Sequence, residues 1–312
     1  MLTELDTLLA ALRQTGAERA VLEAADTAHL VVEGHHLLSA RALPGLEVDT
    51  RETATGIAVR VLVREGVRIA HPVHLCFGVV HQRGLQQIAM EVRLERGAAV
   101  RFIAHCLFPR AEEVRHEMDA QVEIGEGAEF DYAEVHFHGP FGGTTVIPRA
   151  AITVGRNGRY RGDFTLTTGR VGTLELDAKV HAGAGSLTEL TARVLGSGDD
   201  RITLREEVSL DGDDARSLIK TRIALKDRAT AMVTGITAGH APGARGHVDC
   251  LELVRDQAVA SAVPMVNVTN PLAKVTHEAA IGTVDRRQME TLMAHGLTPE
   301  QAVDVIIRGV LR

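Results

Sequence analysis

Val92-Arg-Leu-Glu-Arg-Gly-Ala98, Val122-Glu-Ile-Gly-Glu-Gly-Ala128 and Ile152-Thr-Val-Gly-Arg-Asn-Gly158 are three copies of one phrase, the end of an alternating strand running into a tight turn. Leu94, Ile124 and Val154 stand 30 residues apart each time (124 − 94 = 30, 154 − 124 = 30). The frame continues at Lys179-Val180-His-Ala-Gly-Ala (180 − 154 = 26) and Val208-Ser-Leu210-Asp-Gly-Asp-Asp (210 − 180 = 30). It is read again in Lys226-Asp227-Arg-Ala-Thr-Ala and Arg255-Asp256-Gln-Ala-Val-Ala (256 − 227 = 29). Each unit holds two short strands of period 2, and leaves no room for a crossover helix of about ten residues or more. A doubly wound α/β sheet is thereby excluded. Leucine-rich repeats need an Asn or Cys ladder and propeller blades run longer with aromatic signatures, neither of which the chain carries. What remains is an all-β-dominated solenoid, a right-handed parallel β-helix, whose coils stack because one coil alone cannot bury its apolar face.

The ends read differently. In residues 5–14, Leu5, Leu8, Leu9 and Leu12 fall on one helical face, and a mixed segment follows to about residue 70. Near the C-terminus Asp285 is placed to N-cap a helix through His295, with Gly296 at C′. Thr298-Pro299-Glu300-Gln301 supplies an N-cap, a proline at N1 and a capping box for a second helix ending near Arg308-Gly309. The expected organisation is a helical and mixed segment over 1–70, a β-helix core over 71–270 and a helical segment over 271–312.

Composition narrows the function classes. Lys plus Arg number 34 against 41 for Asp plus Glu, a net charge of -7, which argues against nucleic acid or an anionic membrane as the main partner. The first residues lack a basic leader, and no stretch approaches the roughly 20 apolar residues needed to span a bilayer, so a soluble, cytoplasmic protein is expected. The 3 cysteines, Cys76, Cys106 and Cys250, are odd in number and unpaired in spacing, which speaks against a disulfide framework and against a four-thiolate zinc site in one chain. With 3% aromatic residues and no Trp, the core must be built of aliphatic ladders.

The chemistry-bearing residues concentrate late in the chain. Cys250 lies in the alternating strand His247-Val-Asp-Cys-Leu-Glu-Leu-Val254, sharing a face with Val248 and Glu252, and His277-Glu278 follows 27 and 28 residues downstream (277 − 250 = 27, 278 − 250 = 28). A thiol, an imidazole and a carboxylate make a mixed metal-ligand set pointing to iron chemistry rather than hydrolysis. Taken singly, a buried Cys is most often a small hydrophobe, and an adjacent His and Glu most often an ordinary surface pair. Cys106, in Arg101-Phe-Ile-Ala-His-Cys-Leu-Phe-Pro109, is open to core packing; His105 beside it could favour the thiolate but points to the opposite face of a strand. Cys76 reads as structural, with His74 on its face. His136 and His138 project to one side of a strand but lack a third ligand nearby in sequence, and read as solvated or core-edge residues. Gly139-Pro-Phe-Gly-Gly143 and Gly183-Ala-Gly185 lack the Lys-Ser/Thr of a phosphate loop and read as turns, and no hydrolase triad is present, so the chain is not expected to be an enzyme.

The order Gly246-His-Val-Asp-Cys-Leu-Glu-Leu-Val254, Lys274-Val-Thr-His-Glu-Ala-Ala-Ile-Gly282 and a paired helical tail resembles the C-terminal core of the SufB/SufD family, scaffold subunits of an iron–sulfur cluster assembly machine. The resemblance spans roughly residues 70–312 and is strongest over 246–310. His-Glu-Ala at 277–279 is similar to the SufB-like branch, since SufD-like chains usually carry His-Gly-Ala. What it implies is a transient iron–sulfur cluster held by Cys250, His277 and Glu278. It also implies a SufC-type ABC ATPase docked on the C-terminal helices, and a homodimer or a heterodimer with a paralogue through the last coils. Cys106 matches, more weakly, the family cysteine that accepts sulfur from a donor protein or sulfide, with His105 and Leu107-Phe108 replacing the family's Gly and Thr-Ala. Set against a typical SufB the sequence is short and is expected to lack much of the N-terminal domain, which leaves a flavin site built there in doubt. Two other readings stand beside this one, a non-ligating SufD-like adaptor and a β-helix enzyme acting on carbohydrate.

Overall fold

Residues 3–312 are described in the computed structural model of the chain, and among them 19 strands form two sheets of ten and nine strands. From the strand Val73–Gly78 to the strand Lys274–Gly282, successive strands alternate between the sheets and every pairing is parallel. The molecule is a β-solenoid of about eight coils, as the repeat predicts.

The register follows the repeat with one adjustment. Leu94 pairs with Ile124 and Ile124 with Val154, as the 30-residue spacing requires. Val154 then pairs with Ala182 and Ala182 with Leu210, two steps of 28 residues (182 − 154 = 28, 210 − 182 = 28), while Val180 pairs with Ile152. A slip of two residues keeps every side chain on its own face, so alternation alone cannot distinguish the two alignments. The phrases at Lys226 and Arg255 belong to the opposite corner of the coil from the phrase at Val92. They follow the strands Arg216–Leu225 and Arg245–Val254 of the other sheet. Both corners turn through left-handed backbone, at Gly97, Gly127, Asn157, Gly185 and Asp214 on one side and at Gly198, Asp227 and Asp256 on the other. Asn and Asp tolerate that conformation better than other residues with a Cβ. Here they also link coils: the Asp227 carboxylate accepts from the Gly198 amide at 2.7 Å, and that of Asp256 from the Asp227 amide at 3.2 Å.

The two ends of the stack are built differently. At the first end His29–Glu33 and Gly56–Val63 pair in parallel with the solenoid, and the antiparallel strands His36–Arg41 and Leu46–Glu52 lie outside them as sheet edges. The sheets therefore extend beyond 71–270 on both sides. Helix α1 (Glu4–Leu12), closed by a Thr3–Asp6 capping box, and helix α2 (Arg19–Glu23) bury Leu8, Leu12 and Leu22 with Cys76 and Leu107. At the other end Val259–Val268 and Lys274–Gly282 are sheet edges with no strand beyond them among the described residues. Helices α3 (Arg286–Ala294) and α4 (Pro299–Val310) begin as expected. Asp285 accepts from the Gln288 amide, Thr298 and Gln301 form a capping box, and Gly296 adopts φ 94°. Helix α4 lays Val303 and Ile307, with Leu311 just beyond it, against Ala224, a rung flanked in register by Leu195 and Leu253.

The inner ladders are aliphatic, with a small aromatic group where Phe102 meets Phe130 edge to face at 5.1 Å. Circular dichroism should accordingly be dominated by β signal with a minor helical part. Leu204→Ala, at a wholly buried rung, should lower the unfolding free energy by about 2–5 kcal/mol in denaturant titration without changing that spectrum.

Candidate functional site

Cys250 points into the solenoid. In the strand Arg245–Val254 the residues Val248, Cys250 and Glu252 alternate inward and are fully buried, while Asp249 faces outward to a bidentate pair with Arg222 at 2.5 and 2.9 Å. Cys250 stacks between Thr221 on the preceding coil and Ala279 on the next. Its thiol is pushed up to about 12 by burial and by the Glu252 carboxyl, the Thr221 hydroxyl pulling the other way. Glu252 is itself raised to about 7 by burial, and among the described residues no other residue hydrogen-bonds either of its oxygens. A buried carboxyl without partners is costly, and marks a place where a cation or donor group would be stabilised.

His277 and Glu278 lie on the terminal coil and are exposed. His277 is in register with the inward Val248 and Glu278 with the outward Asp249. Cys250 and His277 thus share the inner side on neighbouring rungs, two positions apart along the strand, and Glu278 starts on the other side. The three do not come together as one ligand group within a single chain among the described residues.

A second group of metal-ligating side chains lies deep in the barrel of the solenoid. Cys106 is in register with His136, and Glu134 precedes His136 by two residues on the same inward face. One ligand atom from each lies within 4.8 Å of the others, and all three residues are buried. The reading of His136 and His138 as solvated or core-edge residues is corrected: they are 2% and 1% exposed, because both point inward and stack on the neighbouring coils, His136 between Cys106 and Leu166 and His138 on Phe108. The third ligand that sequence spacing did not supply is Glu134. The signal was present in the repeat, since 136 − 106 = 30 is one coil. The His136 Nε2 lies 2.7 Å from Glu134 Oε1, and its Nδ1 lies 3.2 Å from His138 Nε2. Tyr132 donates its hydroxyl to the other Glu134 oxygen at 3.0 Å. The Cys106 thiol is raised well above its ordinary value, first by burial and then by the nearby Glu134 carboxylate. His105 faces the opposite way as alternation requires, meeting Thr15 and His74, and burial holds its imidazole down to about 3.

Comparison with known proteins places the chain in a family. Residues 78–310 match the family described as SUF system FeS cluster assembly, SufBD core domain. The chain belongs to the SufBD family. It is 32% identical over 282 residues to an iron-sulfur cluster assembly SufBD family protein of Methanocaldococcus jannaschii, covering 90% of this chain and 89% of that one. It is 31% identical over 284 residues to one from Pyrococcus horikoshii, covering 91% and 86%. A more distant relative from Methanothermobacter thermautotrophicus is 25% identical over 252 residues, covering 80% and 60%. Among the described residues, no helix of this SufBD protein is long and apolar enough to cross a membrane.

Between Glu134 and Cys250 along the solenoid interior stands Glu206, fully buried and accepting from the Thr221 hydroxyl at 3.2 Å. Burial raises its carboxyl from 4.5 to about 7, with the Thr221 hydrogen bond opposing. The folded state therefore holds a proton that the unfolded chain has lost, and stability falls as pH rises from about 4.5 to about 7. Glu206→Gln removes that loss. Relative to wild type the variant should gain about 3 kcal/mol in unfolding free energy between pH 4.5 and pH 8, measured by denaturant titration at each pH.

Proposed function

We propose that the chain is the scaffold subunit of a SUF-type assembly, building a nascent iron–sulfur cluster at an interface between two solenoids rather than acting as an enzyme itself. The observation that carries the reading is the position of Cys250, one coil from an open solenoid end whose terminal coil presents His277 and Glu278 to solvent. Around them Val263, Met265, Val266, Val268 and Ile281 are exposed, an apolar surface with unpaired backbone of the kind that pairs with another chain. A second solenoid, identical or paralogous, set edge to edge would bring a second His277 and Glu278 position to the same place. A ligand set that one chain leaves incomplete suits cargo that must be released, because four thiolates would hold iron too tightly. Glu252 adds an oxygen donor beside Cys250 that the family resemblance did not suggest. Iron and sulfide are substrates in this reading, and a cytosolic setting suits their chemistry.

Energy for assembly would come from a SufC-type ABC ATPase, since this sequence has no phosphate-binding loop of its own. Docking to the solenoid occupies Val303 and Ile307 of helix α4, but Met293 and Val305 stay 38% and 44% exposed on the hairpin. They are the surface proposed for the ATPase.

Anaerobic reconstitution with iron and sulfide tests the cluster assignment. Cys250→Ser should abolish the reconstituted cluster absorbance while keeping the β spectrum, Glu252→Gln and Glu278→Ala should each reduce it, and Cys76→Ser should leave it unchanged. Equal loading of wild type and Cys250→Ser would favour the non-ligating SufD-like adaptor. For the partner, the double variant Met293→Asp and Val305→Asp should fold normally and lose co-purification with the ABC ATPase; undiminished co-purification would move the interface elsewhere.

A further inference from the structure

We propose that Cys106, Glu134 and His136 form an interior binding site for a single divalent transition-metal ion of the zinc or ferrous class, separate from the cluster site at Cys250. The donor set is a sulfur, an oxygen and a nitrogen, the combination that such borderline ions take up. Ligand atoms around a four-coordinate ion lie about 3.5 Å apart, given metal–ligand bonds of roughly 2.0–2.3 Å. The three atoms here already fall within 4.8 Å of one another, on strands whose register holds Cys106 and His136 on adjacent rungs. Little rearrangement is needed to close on an ion.

Charge and second contacts agree with this assignment. A thiolate and a carboxylate with a neutral imidazole balance a divalent cation, which a dry interior requires. One proton, from the Cys106 thiol, leaves for solvent on binding. His136 would coordinate through Nε2, the nitrogen now facing Glu134, and carry its proton on Nδ1 toward His138 Nε2 at 3.2 Å. His138 in turn would donate from Nδ1 to Thr144 Oγ1 at 3.2 Å, and Tyr132 steadies the second oxygen of Glu134. Metal-bound histidines are usually held by such an outer partner. The rival use of the same residues, a thiol activated by an imidazole base, is disfavoured because both ring nitrogens of His136 already face partners other than Cys106.

An approach from outside also exists. Glu134 and Tyr132 line a cavity of about 80 Å³ whose other walls include Arg149, Asp163 and Asp177. Those three side chains are partly exposed, so the cavity runs from the solenoid flank to the buried carboxylate. A thiol committed to the ion is withdrawn from accepting sulfur, so metal binding and the sulfur role considered for Cys106 are alternatives at one atom.

Cobalt(II) is the probe, titrated anaerobically into the full-length apoprotein without iron or sulfide. Wild type and Cys250→Ser should both bind one equivalent and develop thiolate-to-cobalt charge transfer with strong visible bands of a four-coordinate ion. Cys106→Ser should lose the charge transfer, Glu134→Gln should weaken binding at least tenfold, and Cys76→Ser should match wild type. If Cys106→Ser misfolds, the near-isosteric Glu134→Gln still decides the matter. Absence of charge transfer in wild type, or its persistence unweakened in Glu134→Gln, overturns the site. Its loss in Cys250→Ser alone would instead place the ion at the cluster site, and the cluster reading stands or falls separately on the iron–sulfide reconstitution.

Discussion

Everything in this molecule depends on in-register stacking of equivalent strands. A single coil has an inner face and no partner for it; the next coil supplies one only if its inward residues fall on the same rungs. Parallel pairing with steps of 28 to 30 residues meets that condition from Leu94 through Leu210. Corner turns that need left-handed backbone keep the strands from drifting, and at Asp227 and Asp256 the carboxylate binds the backbone of the neighbouring coil.

The same constraint decides where chemistry can occur. Stacking rungs force inward polar residues of successive coils to within a few ångströms of one another. They must either satisfy each other or take a ligand, because the solenoid interior offers little water. His116 and Gln86 pair at 2.9 Å on neighbouring rungs, and Thr221 and Glu206 pair at 3.2 Å across the interior between the two sheets. Glu252 does not, and the Cys106, Glu134 and His136 group does so only through a carboxylate–imidazole contact that leaves the thiol unused. Among the interior polar residues, the unpartnered Glu252 carboxyl beside Cys250 and the three-ligand group at Cys106 therefore stand out, independently of any family.

Legibility in the sequence follows the same physics. The fold was readable because the turn phrase repeats at Leu94, Ile124 and Val154, and helix ends were readable because Asp285, Thr298 and Gln301 are caps that act within one turn. The offset at Val180 was not, since a two-residue slip preserves inward and outward faces. Nor could local pattern separate the corner at Lys226 from the one at Val92, because both demand the same turn chemistry. The proximity of Cys106 to His136 was encoded in the repeat itself, but Glu134 in Tyr132-Ala-Glu-Val-His looks like an ordinary solvated strand residue. Which face is buried depends on the neighbouring coils, and that is a long-range fact. For Cys250, the row shared with Val248 and Glu252 is visible in the alternation, and which side of the sheet that row faces is not.

The asymmetry of the two ends links fold to function. At the first end, antiparallel strands and helix α1 cover the stack, so its terminal rungs are as buried as those inside. At the other end the helical hairpin turns aside to the outer face at Ala224 and leaves the last coil uncovered, apolar and with free backbone groups. An open edge of this kind is a liability in an isolated chain, one that proteins normally blunt with charge, proline or a covering element. Retaining it next to Cys250, His277 and Glu278 makes sense if a second chain is the cover. Closure and completion of the ligand set would then be one event, and separation of the chains would expose the cargo for transfer.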